Sequence, residues 1–95
     1  MQEAQIGFGI VGCGMIAPVH ADVLKDVENG HLVAVCDKAE ERAQPFAEKY
    51  GCPYYTDLAK MLARDDLHVV SVCVPPAFHK EIVESCAEAG KHVVV

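Results

Sequence analysis

Residues 6–17 read IGFGIVGCGMIA, an apolar run that leads into a turn with two glycines. Gly12 allows the tight turn from a strand into a helix, and Gly14 lets the backbone approach a diphosphate without an intervening Cβ. Ala17 allows the helix to pack closely on the strand. At the start of such a helix, unpaired N–H groups and the positive end of the dipole favour an anion. This GxGxxA pattern therefore predicts a strand, a turn and a helix that together bind a dinucleotide.

Asp37 is a second sign of a dinucleotide site. It closes the next apolar run, 23 residues after Gly14, and about 20 residues usually lead to the acid that binds the adenosine ribose in such sites. A carboxylate there repels the extra phosphate of NADP, so the sequence favours NAD. The neighbouring Lys38 offsets part of that repulsion, which leaves NADP open. The alternative for Asp37 is a solvated acid at the end of a strand.

Composition and charge argue against several other classes of protein. The 95 residues suffice for one domain or part of one, and 52% of them are hydrophobic. A net charge of −6 and eight scattered basic residues argue against nucleic acid, which requires clustered Lys and Arg. No apolar stretch reaches the roughly 20 residues of a membrane span, and residues 1–5 lack the basic region of a signal peptide. We therefore expect a cytoplasmic protein.

The cysteines and histidines show no disulfide or metal pattern. The five cysteines form no CxxC pair, and no two histidines have a ligand spacing such as HxxxH, so we expect neither a disulfide framework nor a metal. Cys13 lies at a predicted helix N-terminus, where the pKa of a thiol can fall. The alternative, which we favour, is a small side chain between two glycines whose backbone binds the ligand. For His79 a role in the loop or as a helix cap is favoured over an acid or base role.

Apolar runs alternate with helical periodicity along the whole chain, which indicates βαβ units and a parallel sheet. Strands are expected at residues 5–11, 31–36, 53–56, 68–74 and 91–95. Right-handed crossovers give an α/β fold, a doubly wound Rossmann sheet in the order 3-2-1-4-5 with helices on both faces. Ligands bind such sheets at the carboxyl ends, where the order reverses between strands one and four. The loop after strand four, residues 74–79, should therefore face the glycine turn.

The predicted helices carry details that a structure can test. The first helix has an apolar stripe expected to face the sheet, formed by Ile16, Val19, His20, Val23, Leu24 and Val27. Gly30 is expected to take the left-handed position after this helix. Pro45 should kink the second helix or restrict its regular part to one side, and Thr56 can cap the third. The fourth helix has one apolar face, formed by Phe78, Ile82, Cys86 and Ala89.

The sequence resembles the glucose-fructose oxidoreductase, inositol dehydrogenase and rhizopine-catabolism family of NAD(P)-dependent oxidoreductases. The resemblance covers essentially the whole chain and rests on four blocks in this order: IGFGIVGCGMIAPVHADVL, LVAVCDKAEERAQPFAEKYG, YYTDLAKMLARDDLHVVSVCVPPAFH and CAEAGKHVVV. Members of this family bind NAD or NADP in an N-terminal Rossmann domain and oxidise a hydroxyl, usually on a sugar, sugar nucleotide or polyol. A C-terminal α/β domain completes their active site.

The resemblance implies a set of cofactor-binding residues. For the diphosphate these are Gly12, Cys13, Gly14, Met15 and Ile16. For the adenosine ribose it is Asp37, beside Lys38. For the nicotinamide ribose they are Val74, Pro75 and Pro76, with His79 supporting their loop. Relatives often have Asn where this chain has Pro76, so any side-chain hydrogen bond from that position is lost.

The resemblance also implies a limit to what these residues do. In relatives, a strand like residues 91–95 runs into a Glu-Lys-Pro segment whose Lys contacts the cofactor and acts in proton transfer. The sequence stops short of that segment and of the substrate domain. We therefore expect residues 1–95 to be the dinucleotide-binding domain of a homo-oligomeric dehydrogenase for a carbohydrate-like substrate, with no catalytic residue of their own. The edge of the last strand is expected to self-associate.

Two other functions stay open. A non-catalytic nucleotide-binding or redox-sensing module fits a chain without that Lys and without a substrate domain. A methyltransferase also uses a glycine-rich turn and an acid after its second strand. It usually has an acidic residue shortly before the glycines, however, where this chain has Ile10 and Val11.

Overall fold

The computed structural model describes residues 5–14, 17–25 and 29–95. Its strands are β1 (Ile6–Val11), β2 (Gly30–Cys36), β3 (Tyr54–Tyr55), β4 (Val69–Val72) and β5 (His92–Val94). Its helices are α1 (Ala17–Lys25), α2 (Glu40–Tyr50), α3 (Leu58–Leu62) and α4 (His79–Glu88), and α4 is preceded by a 3-10 turn (Pro76–Phe78). No helix among the described residues is both long and apolar enough to cross a membrane.

The five strands form one parallel sheet in the order β3-β2-β1-β4-β5, which confirms the predicted topology. From β1 the chain steps outward to β2 and β3, then crosses back to β4 on the other side of β1. Val11, the last residue of β1, pairs with Cys36 of β2 and with Val72 of β4. The carboxyl ends of these three strands are therefore level, and the strand order reverses beside β1.

Two apolar clusters, one on each face of the sheet, hold the helices in place. On one face Ile10 and Val35 pack with side chains of α1 and α2, namely Ala21, Ala43, Phe46 and Ala47. On the other face Val11 and Val70 pack with side chains of α3 and α4, namely Met61, Leu62 and Cys86. Ile10 and Val11 divide between the clusters because successive residues of a strand point to opposite faces. Helices thus cover both faces of the sheet, as predicted.

The prediction for the apolar stripe of α1 is wrong at Val19 and Val23. Val19 and Val23 are 55% and 61% exposed, whereas Ala21 is 1% exposed. Ala21 lies two residues after Val19, about 200° around a helix of 3.6 residues per turn, so the two exposed valines lie on the opposite side of α1 from its buried alanine. A small side chain at this contact lets the helix approach the sheet closely. The remaining residues of the stripe lie outside the described residues or side chains: Ile16, His20, Leu24 and Val27.

The helix α2 runs through Pro45 without interruption, so its regular part is not restricted to one side. The proline cannot donate to the carbonyl four residues earlier, at Glu41. Both residues are exposed, where water can replace the missing donor. Gly51 ends the helix with a φ of 69°, and its N–H donates to the carbonyl of Ala47.

Two turn residues differ from the prediction. Asn29, and not Gly30, has the left-handed backbone, with a φ of 65°. Asn adopts this region more readily than most residues with a side chain. Asp57, and not Thr56, caps α3, because its Oδ1 accepts a hydrogen bond from the N–H of Ala59 at 3.0 Å. A carboxylate at this position also interacts favourably with the positive end of the helix dipole.

The apolar face of α4 is shorter than predicted. Cys86 is buried and Ile82 is half-buried, but Phe78 and Ala89 are exposed. Phe78 belongs to the 3-10 turn before the helix, where residues advance by about 120° rather than about 100° each, so its side chain leaves the line of the face. Ala89 follows the last residue of α4.

We predict that Asp57→Ala lowers the free energy of unfolding by about 1 kcal/mol, because α3 loses its N-cap hydrogen bond. Thr56→Ala is the matched control, and at this exposed position it changes the free energy of unfolding by less than about 0.5 kcal/mol. Urea denaturation, monitored by circular dichroism, measures the free energy of unfolding of both variants. A larger loss for Thr56→Ala than for Asp57→Ala would show that the cap is assigned to the wrong residue.

Candidate dinucleotide site

Gly12, directly after β1, lies where the glycine turn packs against the loop after β4. Its φ is 95°, in the left-handed range that favours glycine. A Cβ at this position would lie 2.8 Å from the carbonyl oxygen of Cys73 and 2.9 Å from Cγ1 of Val74. The N–H of Gly12 donates to the carbonyl of Cys36 at 2.7 Å. Any side chain here would therefore strain the turn, and the loop after β4 faces it, as the topology predicts.

Gly14 lies on the open side of the same turn. It is exposed, and a Cβ built on it would meet no described atom within 4 Å. The packing of the described residues therefore does not require glycine here, whereas a diphosphate lying on the backbone of the turn would. Met15 and Ile16, which complete the predicted diphosphate site, lie outside the described residues.

The carboxylate of Asp37, directly after β2, is hydrogen-bonded to the glycine turn. Its Oδ2 accepts a hydrogen bond from the N–H of Cys13, and its Oδ1 accepts one from the N–H of Ala39, both at 2.9 Å. The guanidinium of Arg42 donates to both oxygens, from Nε to Oδ2 at 3.0 Å and from Nη2 to Oδ1 at 2.9 Å. Asp37 is 8% exposed, so the alternative of a solvated acid is wrong.

These partners keep Asp37 ionised. Burial by itself raises the pKa of a carboxyl group, but hydrogen bonds from Arg42, Ala39 and Cys13 bring the pKa of Asp37 below its ordinary value of 3.8. Because the pKa is lowered in the folded state, the carboxylate stabilises the fold above pH 3.8, and this contribution is lost as the pH falls through the lowered value. At neutral pH a negative charge therefore lies at the carboxyl end of β2.

Arg42 is a residue of the site that was not predicted from the sequence. It is the third residue of α2, and long side chains on a helix point back toward its N-terminus, which brings the guanidinium to Asp37. The signal in the sequence was an Arg in the first turn of the helix that follows the acid. Lys38, which was expected to offset the charge of Asp37, is exposed. In the described part of the chain, the guanidinium of Arg42 makes the ion pair with Asp37.

The thiol of Cys13, inside the turn, is not activated. Cys13 is buried, and burial together with the charge of Asp37 raises its pKa to about 12. Burial and the same charge raise the pKa of Cys36 to about 11. The Sγ of Cys13 lies 3.9 Å from the carbonyl oxygen of Cys36, to which it donates. Cys13 is therefore a small buried thiol, as favoured from the sequence, and its protonated state argues against redox sensing at this residue.

His79, the first residue of α4, supports the loop after β4. Its Nε2 lies 2.6 Å from the carbonyl oxygen of Val74, so Nε2 carries the proton, because a carbonyl only accepts. Pro75 and Pro76 lie between them, and Pro76 begins the 3-10 turn. The two rings restrict the backbone of the loop, while Val74 is half-buried and both prolines are exposed. The loop thus presents a restrained backbone beside Gly12.

Comparison with known proteins finds sequences similar to this chain in several dehydrogenases. A family model described as an oxidoreductase family with an NAD-binding Rossmann fold matches residues 6–95. The 4-carboxy-2-hydroxymuconate-6-semialdehyde dehydrogenase of Sphingobium sp. SYK-6 is 38% identical over 87 residues, which are 90% of this chain and 28% of that protein. The myo-inositol 2-dehydrogenase of Thermotoga maritima is 35% identical over 86 residues, 90% of this chain and 26% of that protein. The chain thus spans about a quarter of the length of these relatives.

A solved structure shows the same fold together with a bound cofactor. The crystal structure of the WlbA dehydrogenase from Chromobacterium violaceum, in complex with NADH and UDP-GlcNAcA, matches with a TM-score of 0.89 and 33% identity. The match covers 98% of this chain and 27% of that one. The likeness therefore extends over the whole sheet and the helices on both of its faces.

We predict that Gly12→Ala lowers the free energy of unfolding by roughly 2 kcal/mol or more, because an alanine must adopt the strained left-handed backbone and its Cβ meets Cys73. Gly14→Ala is the matched control within the same turn, and no described atom lies within 4 Å of its Cβ. It changes the free energy of unfolding by less than about 1 kcal/mol. Urea denaturation of both variants is the measurement, and equal losses would contradict the different environments of the two glycines.

Proposed function

Because the chain belongs to the glucose-fructose oxidoreductase, inositol dehydrogenase and rhizopine-catabolism family, as its NAD-binding Rossmann domain, we propose that it holds NAD for hydride transfer between the nicotinamide and a sugar, sugar nucleotide or polyol. One observation carries the proposal. The N–H of Cys13, inside the glycine turn, donates to the carboxylate of Asp37 at 2.9 Å. The turn and the acid, which both contact a dinucleotide in sites of this kind, are thus fixed relative to each other by the protein itself.

The diphosphate lies on the turn from Gly12 to Gly14 and on the N-terminus of α1. This placement is supported by the exposed position of Gly14, where a Cβ would meet no atom of the described residues within 4 Å. A phosphate oxygen there accepts hydrogen bonds from backbone N–H groups and interacts favourably with the helix dipole. Met15 and Ile16 are assigned to the same subsite from the sequence pattern alone. Cys13 lies in the same turn, with its thiol buried and its N–H donated to Asp37.

The adenosine ribose lies at the carboxyl end of β2. Asp37 is ionised there and accepts hydrogen bonds. A ribose hydroxyl that donates a hydrogen bond requires such an acceptor. Lys38 follows directly, and its exposed side chain flanks the same position. A carboxylate at this point favours NAD over NADP, whose additional phosphate it repels.

The nicotinamide ribose lies against the loop after β4. Val74, Pro75 and Pro76 form this loop, and contact between the loop and Gly12 supports a single crevice that spans the two subsites. His79 positions the carbonyl group of Val74 through its hydrogen bond. Bound NAD supplies the hydride chemistry, while residues of this chain bind and orient it. No residue of residues 1–95 is assigned a catalytic role.

The substrate class rests on the relatives. One of them is named as an inositol dehydrogenase, and the WlbA structure contains a sugar nucleotide with NADH. The chain spans about a quarter of their length. We therefore assign cofactor binding to residues 1–95, and we assign the substrate contacts to a second domain of a dehydrogenase that includes residues 1–95. That enzyme is assigned to the cytoplasm, where the five free cysteines stay reduced. A homo-oligomer is its expected native state.

Calorimetric titration of the chain with NAD, NADH, NADP and S-adenosylmethionine tests the proposal. Wild type is expected to bind NAD and NADH. We predict that Gly14→Ala weakens NAD binding by about tenfold or more, equivalent to about 1.4 kcal/mol, because its Cβ occupies the place of the diphosphate. Gly90→Ala is the control. It strains a left-handed glycine with a φ of 76° just before β5, at the other end of the sheet, and it should leave the NAD affinity unchanged.

The outcomes separate three possibilities. Absence of binding of NAD and NADH to a folded sample would contradict the proposed function. Binding of S-adenosylmethionine alone would favour a methyltransferase. A loss of NAD affinity in Gly90→Ala that equals the loss in Gly14→Ala would show that general destabilisation, and not the diphosphate subsite, controls binding.

A further inference from the structure

His68, directly before β4, exchanges two hydrogen bonds with Gly7 of β1. Its backbone N–H donates to the carbonyl of Gly7 at 2.8 Å, and the N–H of Gly7 donates to Nδ1 of the His68 ring, also at 2.8 Å. The carbonyl of His68 accepts a third bond, from the N–H of His92 in β5, at 3.0 Å. His68 therefore connects the amino ends of three neighbouring strands, and the acceptor for Gly7 is a ring nitrogen rather than a carbonyl.

The path of the chain into β4 explains why the ring is needed at this point. The chain passes so close to Gly7 that a Cβ on this residue would collide with the carbonyl group of Asp66. Regular pairing of β1 with β4 begins one residue later, at Phe8 and Val69. Gly7 is buried, so water has little access to its N–H, and a buried N–H without an acceptor is costly. The ring of His68 supplies the acceptor.

The hydrogen bond from Gly7 requires the neutral form of the His68 ring. A neutral imidazole has one nitrogen that donates and one that accepts. Since the N–H of Gly7 points at Nδ1, the neutral ring carries its proton on Nε2. A protonated ring has an N–H on both nitrogens, so its Nδ1 would present a second donor to the donor of Gly7. Protonation of His68 therefore breaks this bond and leaves the N–H of Gly7 unpaired.

The charged groups around His68 do not compensate a protonated ring. The described elements bring these charged and titratable side chains to the amino end of the sheet: Arg64, Asp65 and Asp66 before β4, Glu88 at the end of α4, Lys91 and His92 at the start of β5, and His31 at the start of β2. Arg64 donates two hydrogen bonds to the carboxylate of Asp66, at 2.8 and 2.7 Å, and so compensates its charge. The other two acids are exposed, where water screens them. The Nζ of Lys91 donates to the carbonyl of Arg64 at 2.9 Å, which adds a second cation near the start of β4.

We propose that His68 is a pH-sensitive switch at the amino end of the sheet. The neutral ring holds β1 to the start of β4 through the N–H of Gly7, and the protonated ring releases this N–H. The side chain of His68 is exposed, so it responds to the pH of the solvent. The contribution of the bond to stability is complete while the ring is neutral, and it is lost as the pH falls through the range, roughly pH 6.5, in which histidine takes up a proton. The inference does not depend on the proposed function, because Gly7 lies at the opposite end of β1 from the glycine turn.

Urea denaturation at about pH 7.5 and about pH 5.5, on either side of the histidine titration, tests the switch. We predict that the equilibrium constant of unfolding rises about tenfold more across this interval in the wild type than in His68→Asn, because unfolding at the lower pH lets the ring take up a proton that the hydrogen bond excludes. The Oδ1 of asparagine is bonded to Cγ, as the Nδ1 of histidine is, so it can accept from Gly7 at both pH values. His92→Asn is the matched control. It removes an exposed histidine from the neighbouring strand and should retain the rise seen in the wild type.

A comparison at about pH 7.5 alone separates the acceptor from the rest of the ring. His68→Ala leaves the N–H of Gly7 unpaired, so the equilibrium constant of unfolding should rise about tenfold. His68→Asn keeps an acceptor and should change this constant by less than about threefold. A loss in His68→Asn as large as that in His68→Ala would overturn the proposal, because packing of the ring, and not its acceptor, would then hold the strands.

Heteronuclear NMR of the wild type tests the switch without any substitution. We expect the neutral ring of His68 to carry its proton on Nε2, and the N–H of Gly7 to exchange faster with solvent once the ring is protonated. A neutral ring with its proton on Nδ1 would overturn the proposal, and so would an equal pH dependence of unfolding in the wild type and His68→Asn. A pH dependence that disappears in His31→Asn but persists in His68→Asn would also overturn it, because the titrating group would then be His31.

Discussion

The hydrogen bond from the N–H of Cys13 to the carboxylate of Asp37 is the interaction on which the site depends. A buried carboxylate is costly unless donors surround it. Here the glycine turn supplies one donor, the connection from β2 to α2 supplies another, and Arg42 supplies two. The carboxylate of Asp37 therefore holds the glycine turn beside the end of β2, and the N–H group of the turn stabilises the buried carboxylate. The geometry of the turn thus depends on the acid at the end of the next strand.

The parallel sheet brings the third part of the site to the same place. Because Val11 pairs with both Cys36 and Val72, the chain leaves three neighbouring strands at one level. Gly12 then lies against Cys73 and Val74, close enough that a Cβ would collide with them. A crevice that extends from the acid of β2 to the loop after β4 thus follows from the register of the sheet, and it is here, where the strand order reverses, that we propose the cofactor binds.

The parts of this arrangement that follow from local rules could be predicted from the sequence. The strand order follows from alternating apolar runs and right-handed crossovers, and the positions of Gly12 and Asp37 directly after β1 and β2 follow from the same runs. The burial of Ala21 in place of Val19 and Val23 could not be predicted, because apolar periodicity ranks the two valines above an alanine, whereas the contact with the sheet selects a small side chain. The pairing of Arg42 with Asp37 depends on the direction in which a side chain leaves its helix. Neither apolar periodicity nor residue spacing predicts that direction.

A crystal structure of the chain with NAD tests the central role of Asp37 most directly. We expect the hydroxyls of the adenosine ribose within hydrogen-bond distance of the Asp37 carboxylate and the diphosphate over the backbone of Gly14. The hydrogen bond between Cys13 and Asp37 should be retained in the complex. A dinucleotide bound away from the carboxyl end of β2, or a complex in which the Cys13 N–H no longer donates to Asp37, would contradict that role.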